Sequence, residues 1–505
     1  MVSASSIDSQ FAVQKLFWLG AICILCLVLG YLLPSNAYGM VMVIAAIGWL
    51  MTIPYHANLS LVLAVVTFKS ALIFPYFPGR PFLWEFAALL AWSGLVIVFF
   101  LRQYPPDTSR LIRENKWLFV GAVGYCITLL MIMHFRGFGL RILGSEQMGG
   151  RFYFQQLTCA IFILLFLMQK VDNRTLMILF ILQCLFTTTY LISDFVYSIA
   201  PQSLLWVLSF FELPGDAFNF EMQSQRFGIR RFQSLSILGG GLFFLFLVAV
   251  PLKRLLTPRG LWLIPIMASI FFLGILSGHR YLVMMVVGVL FFAAYSQRIF
   301  TLRNNILAVA LLGIALVFAY SFARYLPLSA QRALSMLPNI EINARARSDG
   351  AGTLEVRRLM RNIGYDMMPQ YFWLGRGFGQ ASADYSHLWD PTTITMHINQ
   401  GRFYNGFVGL MVNTGIPGTA AMLLFLAGGT GLVYRVVRLL RTHMWDDPFS
   451  RMTGVISGIW LTSTLAFLFL HGDSEFAMKT FSLLAGMLLA CYRALNEKAL
   501  ASAEA

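Results

Sequence analysis

Residues 261–296 read LWLIPIMASIFFLGILSGHRYLVMMVVGVLFFAAYS, two apolar runs separated by a short turn that carries Gly278, His279 and Arg280. A helix needs about 20 apolar residues to cross a bilayer, so 261–277 and 281–297 are expected to form a membrane hairpin. Arg280 then sits close to membrane depth, where a charge is expensive and usually functional. That favours a substrate role for Arg280 over a structural one. His279 has no such claim, because a histidine beside an arginine is readily solvated at the interface.

Working outward, the same criterion marks about fourteen runs: 16–33, 37–53, 59–77, 82–101, 117–134, 152–169, 175–196, 233–251, 261–277, 281–297, 305–323, 404–433, 453–470 and 475–494. Several are borderline, so the expected fold is an all-α polytopic membrane protein with about 12–14 transmembrane helices. With 58% hydrophobic and 12% charged residues and a mean hydropathy of +0.72, the composition excludes an ordinary soluble domain. The first run reads as a retained anchor, since it leads through Pro34 into another span without a clear small-residue cleavage site. The six cysteines, Cys23, Cys26, Cys126, Cys159, Cys184 and Cys491, lie in or at the edge of spans and indicate neither a disulfide framework nor a zinc site.

Alternation of the runs fixes orientation. With the N-terminus in the cytoplasm, the short inward loops collect Arg102, Arg110, Arg113, Lys116, Lys170, Arg174, Lys253, Arg254, Arg259, Arg298, Arg303, Arg435, Arg438, Arg441 and Arg451, as the positive-inside rule requires. Both termini are then cytoplasmic. The net charge of +15 is largely a topology signal and gives no reason to invoke nucleic acid. Seventeen arginines and no lysine nevertheless fall on the outer side. A planar guanidinium grips phosphate bidentately, so these point to an anionic, phosphate-bearing ligand at the outer leaflet.

Three regions follow: an N-terminal bundle over 1–323 with about eleven helices, an outward loop over 324–403, and the C-terminal helices with a short tail over 404–505. The loop holds Arg332, Arg345, Arg347, Arg357, Arg358, Arg361, Arg376 and Arg402 against six acids. Leu354, Leu359, Met360, Ile363, Tyr371, Phe372, Trp373 and Leu374 give it an apolar set able to pack a small helical cap. Residues 353–368 read as a helix with Arg357 and Arg361 on one face, suited to a diphosphate. Taken singly, each of these arginines is better explained by pairing with Glu355 or Asp366, or by lipid headgroups; the cluster is not. A second outward segment, 197–232, ends in Arg226, Gly228, Arg230 and Arg231 at the mouth of the next run. The glycines Gly375, Gly377 and Gly379 suggest a tight turn under the loop, since no strand and helix frame a nucleotide site.

In order and spacing, the segments 226–236, 277–281, 369–379 (PQYFWLGRGFG) and 404–418 (YNGFVGLMVNTGIPG) resemble the bacterial O-antigen polymerase and O-antigen ligase superfamily over roughly residues 130–435. The resemblance implies a GT-C-like fold in the bacterial inner membrane with the active site facing the periplasm. It implies transfer of a glycan from an undecaprenyl-diphosphate-linked oligosaccharide, without a metal or other cofactor. Possible partners in that setting are a chain-length regulator or other polysaccharide-assembly proteins. Its diphosphate-binding residues here are Arg226, Arg230, Arg280, Arg357 and Arg361. Tyr371, Trp373 and Trp389 are candidates for stacking on sugars, and His397, Tyr404 and Asn405 form the catalytic set. Where the family has a histidine before the asparagine, this chain has Tyr404, so His397 ranks first as the base, ahead of Glu355, Asp384, Asp390 and Glu475. Polymerase is the preferred activity, for O-antigen, capsule or exopolysaccharide. Ligase is the alternative, and a polysaccharide lipid flippase or transporter the more distant one.

The topology is directly testable. A single cysteine at position 347, in a chain stripped of its native cysteines, should react with an impermeant maleimide on intact spheroplasts, whereas one at position 303 should react only after lysis.

Overall fold

The computed structural model describes residues 43–44, 47–48, 61–75, 80–100, 104–137, 147–199, 202–213, 229, 232–378, 380–381, 397–398 and 401–504. Arg226, Arg230 and Trp389 lie outside them, as does most of the first two runs. Within them the chain is almost entirely helical. Eight segments are long and apolar enough to cross a membrane, and Ser234–Ala249, Leu263–Ile275 and Arg280–Ser296 are shorter apolar helices. The molecule is an all-α polytopic membrane protein.

The helices used below are α1 Leu83–Phe100, α2 Lys116–Arg136, α3 Gly150–Cys159, α4 Ile161–Met168, α5 Asn173–Phe186, α6 Tyr190–Ser198, α7 Ser234–Ala249, α8 Leu263–Ile275, α9 Arg280–Ser296 and α10 Leu302–Phe322. They are followed by α11 Leu328–Leu334 and α12 Ala344–Met367 in the loop over 324–403, then α13 Gly406–His443, α14 Pro448–Ala466 and α15 Ala477–Glu504. A two-residue antiparallel ladder joins β1 Gln147–Met148 to β2 Gln380–Ala381.

Lipid is as apolar as leucine, so helices in a bilayer associate through close backbone approach at small residues. The α2–α13 contact is of this kind. A Cβ on Gly121 would lie 2.3 Å from the Phe425 nitrogen, and one on Gly428 would lie 2.3 Å from the Leu118 nitrogen. Helices α7 and α8 meet likewise at Gly239 and Gly274. Two arginines, Arg493 and Arg451, close helix ends. Arg493 donates to Asp107 and to the carbonyls of Phe166, Leu167 and Gln169, closing the C-terminal end of α4. Arg451 donates to Val248 and Ala249 at the end of α7. Both satisfy carbonyls that a helix terminus leaves without partners.

Two sequence expectations change. The run 59–77 is helical only over 61–67 and then turns, with Lys69 at a φ of +60°. Pro75 and Pro78 supply no N–H for a continuing helix, and the chain instead makes bridges from Leu72 to Phe211 and from Ile73 to Phe82. The helix expected over 353–368 starts earlier, at Ala344, because Asn343 caps it by accepting from the Arg345 amide at 2.9 Å.

Overpacking the α2–α13 seam should be costly. Gly121→Leu is expected to lower stability by about 1–3 kcal/mol, read as a fall in the melting temperature of the detergent-solubilised protein. Gly431→Leu, on the same seam helix with nothing within 4 Å of its Cβ position, should barely move it.

Candidate functional site

A break in α13 organises the site. Gly415 has a φ of +66°, which interrupts the helix two residues before Pro417. Such an interruption frees carbonyls that must be satisfied inside a membrane protein. The glycine-rich turn supplies the partners: Arg376 N–H donates to the Val412 carbonyl at 2.7 Å and Gly377 N–H to Asn413 at 2.9 Å, while Ile416 N–H donates to Phe372 at 2.9 Å. Gly375 and Gly377 both have positive φ, and a Cβ on Gly375 would lie 2.4 Å from the Asn413 oxygen. The turn is thus a structural splint on the broken helix.

Above the break, α12 lies across the start of α13. Met360 packs on Phe403, Val408 and Val412, with Ile363, Met367, Tyr371, Ile398 and Tyr404 around them. Gly364 permits the approach, since a Cβ there would meet Val408 at 2.4 Å. This small apolar centre fixes the polar face of α12 towards the turn that begins α9.

At that turn three guanidinium groups converge. Arg332, buried on α11, donates from Nε to Asp349, from Nη1 to the Gly278 carbonyl at 2.6 Å, and from Nη2 to Thr353 at 2.9 Å. It therefore ties α11, α12 and the outer end of α8 together. Burial pulls the Arg332 pKa below the usual arginine value while Asp349 opposes the shift, and arginine remains charged nonetheless. Arg280, the first residue of α9, donates to Ser335 at 2.8 Å and lies flat against Gly350, where a Cβ would come within 2.2 Å of its Nη2. Only a residue without a side chain at 350 leaves room for that guanidinium. Arg357 is close enough to both for their charges to repel. The nearby carboxylate, Asp349, is engaged by Arg332, and the Nε atoms of Arg280 and Arg357 are buried without a hydrogen-bond partner among the described residues.

Arg357 also stands 5.3 Å over the Tyr404 ring. The Tyr404 hydroxyl in turn lies 3.1 Å from Nε2 and 3.3 Å from Nδ1 of the buried His397. Tyr404 adopts a φ of +52°, a conformation non-glycine residues rarely hold and which often accompanies function. His397, Tyr404, Arg357 and Arg280 thus form a continuous chain of neighbours.

The remaining candidates fall elsewhere. Asn405 accepts from the Val408 amide at 3.0 Å as the N-cap of α13, so its side-chain oxygen has a structural task. Tyr371 is half-buried with Arg136 5.9 Å over its ring, and Trp373 is 76% exposed. Arg361 lies one turn beyond Arg357 and makes no ion pair among the described residues. Glu475 is fully buried against Arg402 at 3.1 Å. The sequence pairs Glu475 with Lys479 at helical spacing, but Glu475 lies in a 3-10 turn before α15 begins, which removes that geometry. Arg332, Asp349, Ser335 and Gly350 were not singled out by sequence. The high arginine density of the loop includes Arg332 but does not distinguish it from its neighbours.

No protein-family model matches the chain, and no curated protein matches it.

Removing one partner of a buried ion pair leaves the other charge uncompensated, at a cost of about 3–5 kcal/mol. Asp349→Asn and Arg332→Ala should each lower the melting temperature strongly, and the double variant Arg332→Met with Asp349→Leu should melt higher than either single variant.

Proposed function

We propose that this protein is a GT-C-like inner-membrane glycosyltransferase that polymerises undecaprenyl-diphosphate-linked oligosaccharide units at the periplasmic face. The observation that carries the reading is the convergence of Arg280, Arg332 and Arg357 near Asp349, the carboxylate that the described residues place among them. Two guanidinium Nε atoms remain unpartnered there among the described residues. Such a site is short of acceptor oxygens, and a diphosphate supplies them with bidentate geometry.

The chemistry follows from the neighbours. An acceptor sugar hydroxyl beside His397 loses its proton to the imidazole as its oxygen attacks the anomeric carbon of the donor. The bond from that carbon to the diphosphate oxygen breaks, and the electron pair leaves with the lipid diphosphate. Arg280 and Arg357 lower the barrier by binding the developing charge more tightly than the ground state. Tyr404, held between His397 and Arg357, positions the sugar between base and leaving group. Arg361 extends the cationic face of α12 for a long donor, and the exposed Trp373 offers a ring to a glycan approaching from outside.

Transfer to a different acceptor, such as lipid A-core, uses the same chemistry. The buried His397 beside Tyr404 favours this ligase activity as the second reading, because it restores a histidine base to a segment where the sequence has tyrosine.

Purified protein with a lipid-diphosphate oligosaccharide donor distinguishes these readings. A ladder of longer lipid-linked glycans is expected, and Arg280→Ala should reduce turnover by about 100-fold, the scale of losing one donor to a developing anion. Arg280→Lys should remain impaired, because a point charge lacks the fork. Turnover of Arg280→Ala within about twofold of wild type would overturn the assignment.

A further inference from the structure

A second group of cations lies apart from the arginine cluster, among α1, α3, α15 and the turn after residue 67. Lys479 Nζ sits in a cage of three rings, 5.3 Å from Phe82, 5.1 Å from Trp84 and 5.6 Å from Phe476. Lys69 Nζ is 5.6 Å over Phe68, whose ring packs edge-on against Trp84 at 5.3 Å. The two lysines are near enough to repel one another, and both are near Cys159. Neither makes an ion pair or hydrogen bond with the described residues.

Among the described residues the neighbouring carboxylate, Glu85, is already committed. Glu85 accepts from Arg151 at 3.1 Å, from Gln155 at 2.6 Å and from the Phe82 amide at 2.7 Å. Lys479 and Arg151 thus lie near Glu85, and among the described residues Glu85 bonds Arg151 and neither lysine. Aromatic faces attract a cation but offer no oxygen to the three donors of an ammonium. Two more donors nearby lack a partner among the described residues, Trp84 Nε1 and Ser70 Oγ beside Lys69, while Ser482 Oγ, one turn along α15 from Lys479, faces the Cys159 sulfur, a weak partner. All three residues are fully buried. A surplus of donors and positive charge at one place is resolved by an acceptor-rich anion. Lys69 also holds its positive φ there, a strain that local structure must sustain.

We propose that Lys69 and Lys479, with Ser70, Trp84 and Ser482, form a second anion site that takes a phosphate group. Arg151, 41% exposed at its side chain, marks the mouth. Lipid-headgroup phosphate and free phosphate share this chemistry. The site does not depend on the transferase reading.

The test uses full-length protein in phosphatidylcholine nanodiscs, with inorganic phosphate as one probe and phosphatidic acid as the other, each followed by native mass spectrometry. Lys69→Met and Lys479→Met should each weaken binding by about tenfold or more, the scale of one lost charge-assisted contact. Lys479→Arg should retain most of it, and Gly431→Leu, a position with nothing within 4 Å of its Cβ and outside both cation groups, should leave it unchanged. Saturation by phosphatidic acid alone assigns a lipid headgroup, and saturation by inorganic phosphate assigns a soluble ligand. Should the methionine variants not fold, acetylation of wild-type Lys69 and Lys479 decides, because a bound probe must protect both. Saturation by neither probe, affinity within about twofold of wild type in both methionine variants, or undiminished acetylation overturns the proposal.

Discussion

The contact on which the outer half of the molecule depends is the three-way grip of Arg332 on Asp349, Thr353 and the Gly278 carbonyl. A fully buried guanidinium is costly unless its donors are all used. Here that requirement locks α11, α12 and the α8–α9 turn into one arrangement. Arg280 and Arg357 take their positions from it: the first is laid against Gly350, and the second is carried on α12 above Tyr404. Because Asp349 is committed to the structural arginine, the other two retain unspent binding capacity.

The second constraint is the broken helix α13. A continuous helix from Gly406 would bury the segment before it, whereas the break at Gly415 lets the glycine-rich turn dock against the freed carbonyls of Val412 and Asn413. Asn413 further holds the Gly401 carbonyl and Ser474. Arg402 reaches Glu475 from the adjoining stretch. The chain around His397 and Tyr404 is thus anchored from both sides, and an imidazole and a cationic cluster stand next to one another at one end of the bundle. Preorganisation of this kind is what a charge-developing reaction needs.

Much of the fold was legible because a bilayer imposes length and hydropathy on every span. The runs 117–134, 233–251 and 281–297 agree with α2, α7 and α9 within two or three residues. The run 59–77 misled because its hydropathy is that of a span while, among its described residues, the turn at Lys69 ends the helix. At the site, Arg280 and Arg357 were legible: one is a charge pinned between spans, the other lies on an amphipathic arginine face. Arg332 was not, since nothing local separates a ligand-facing arginine from one whose partners, Asp349 and Gly278, are 17 and 54 residues away. Asn405 caps α13, a task the sequence does not separate from a catalytic one, because a cap and a catalytic amide have the same appearance before a helix. The lysine cage was invisible for a related reason: Lys69 and Lys479 are far apart in the chain, and Lys69 reads as a mid-span charge while Lys479 reads as the i, i+4 partner of Glu475.

Arginine footprinting tests the central assignment most directly. Purified protein is treated with phenylglyoxal in the presence of undecaprenyl diphosphate or of undecaprenol, which share a tail and differ in charge, and modification is located by mass spectrometry. The diphosphate should protect Arg280 and Arg357 while the alcohol should not, with Arg332 unreactive in both. Equal modification of Arg280 with and without saturating diphosphate would contradict a role for this cluster in holding the donor.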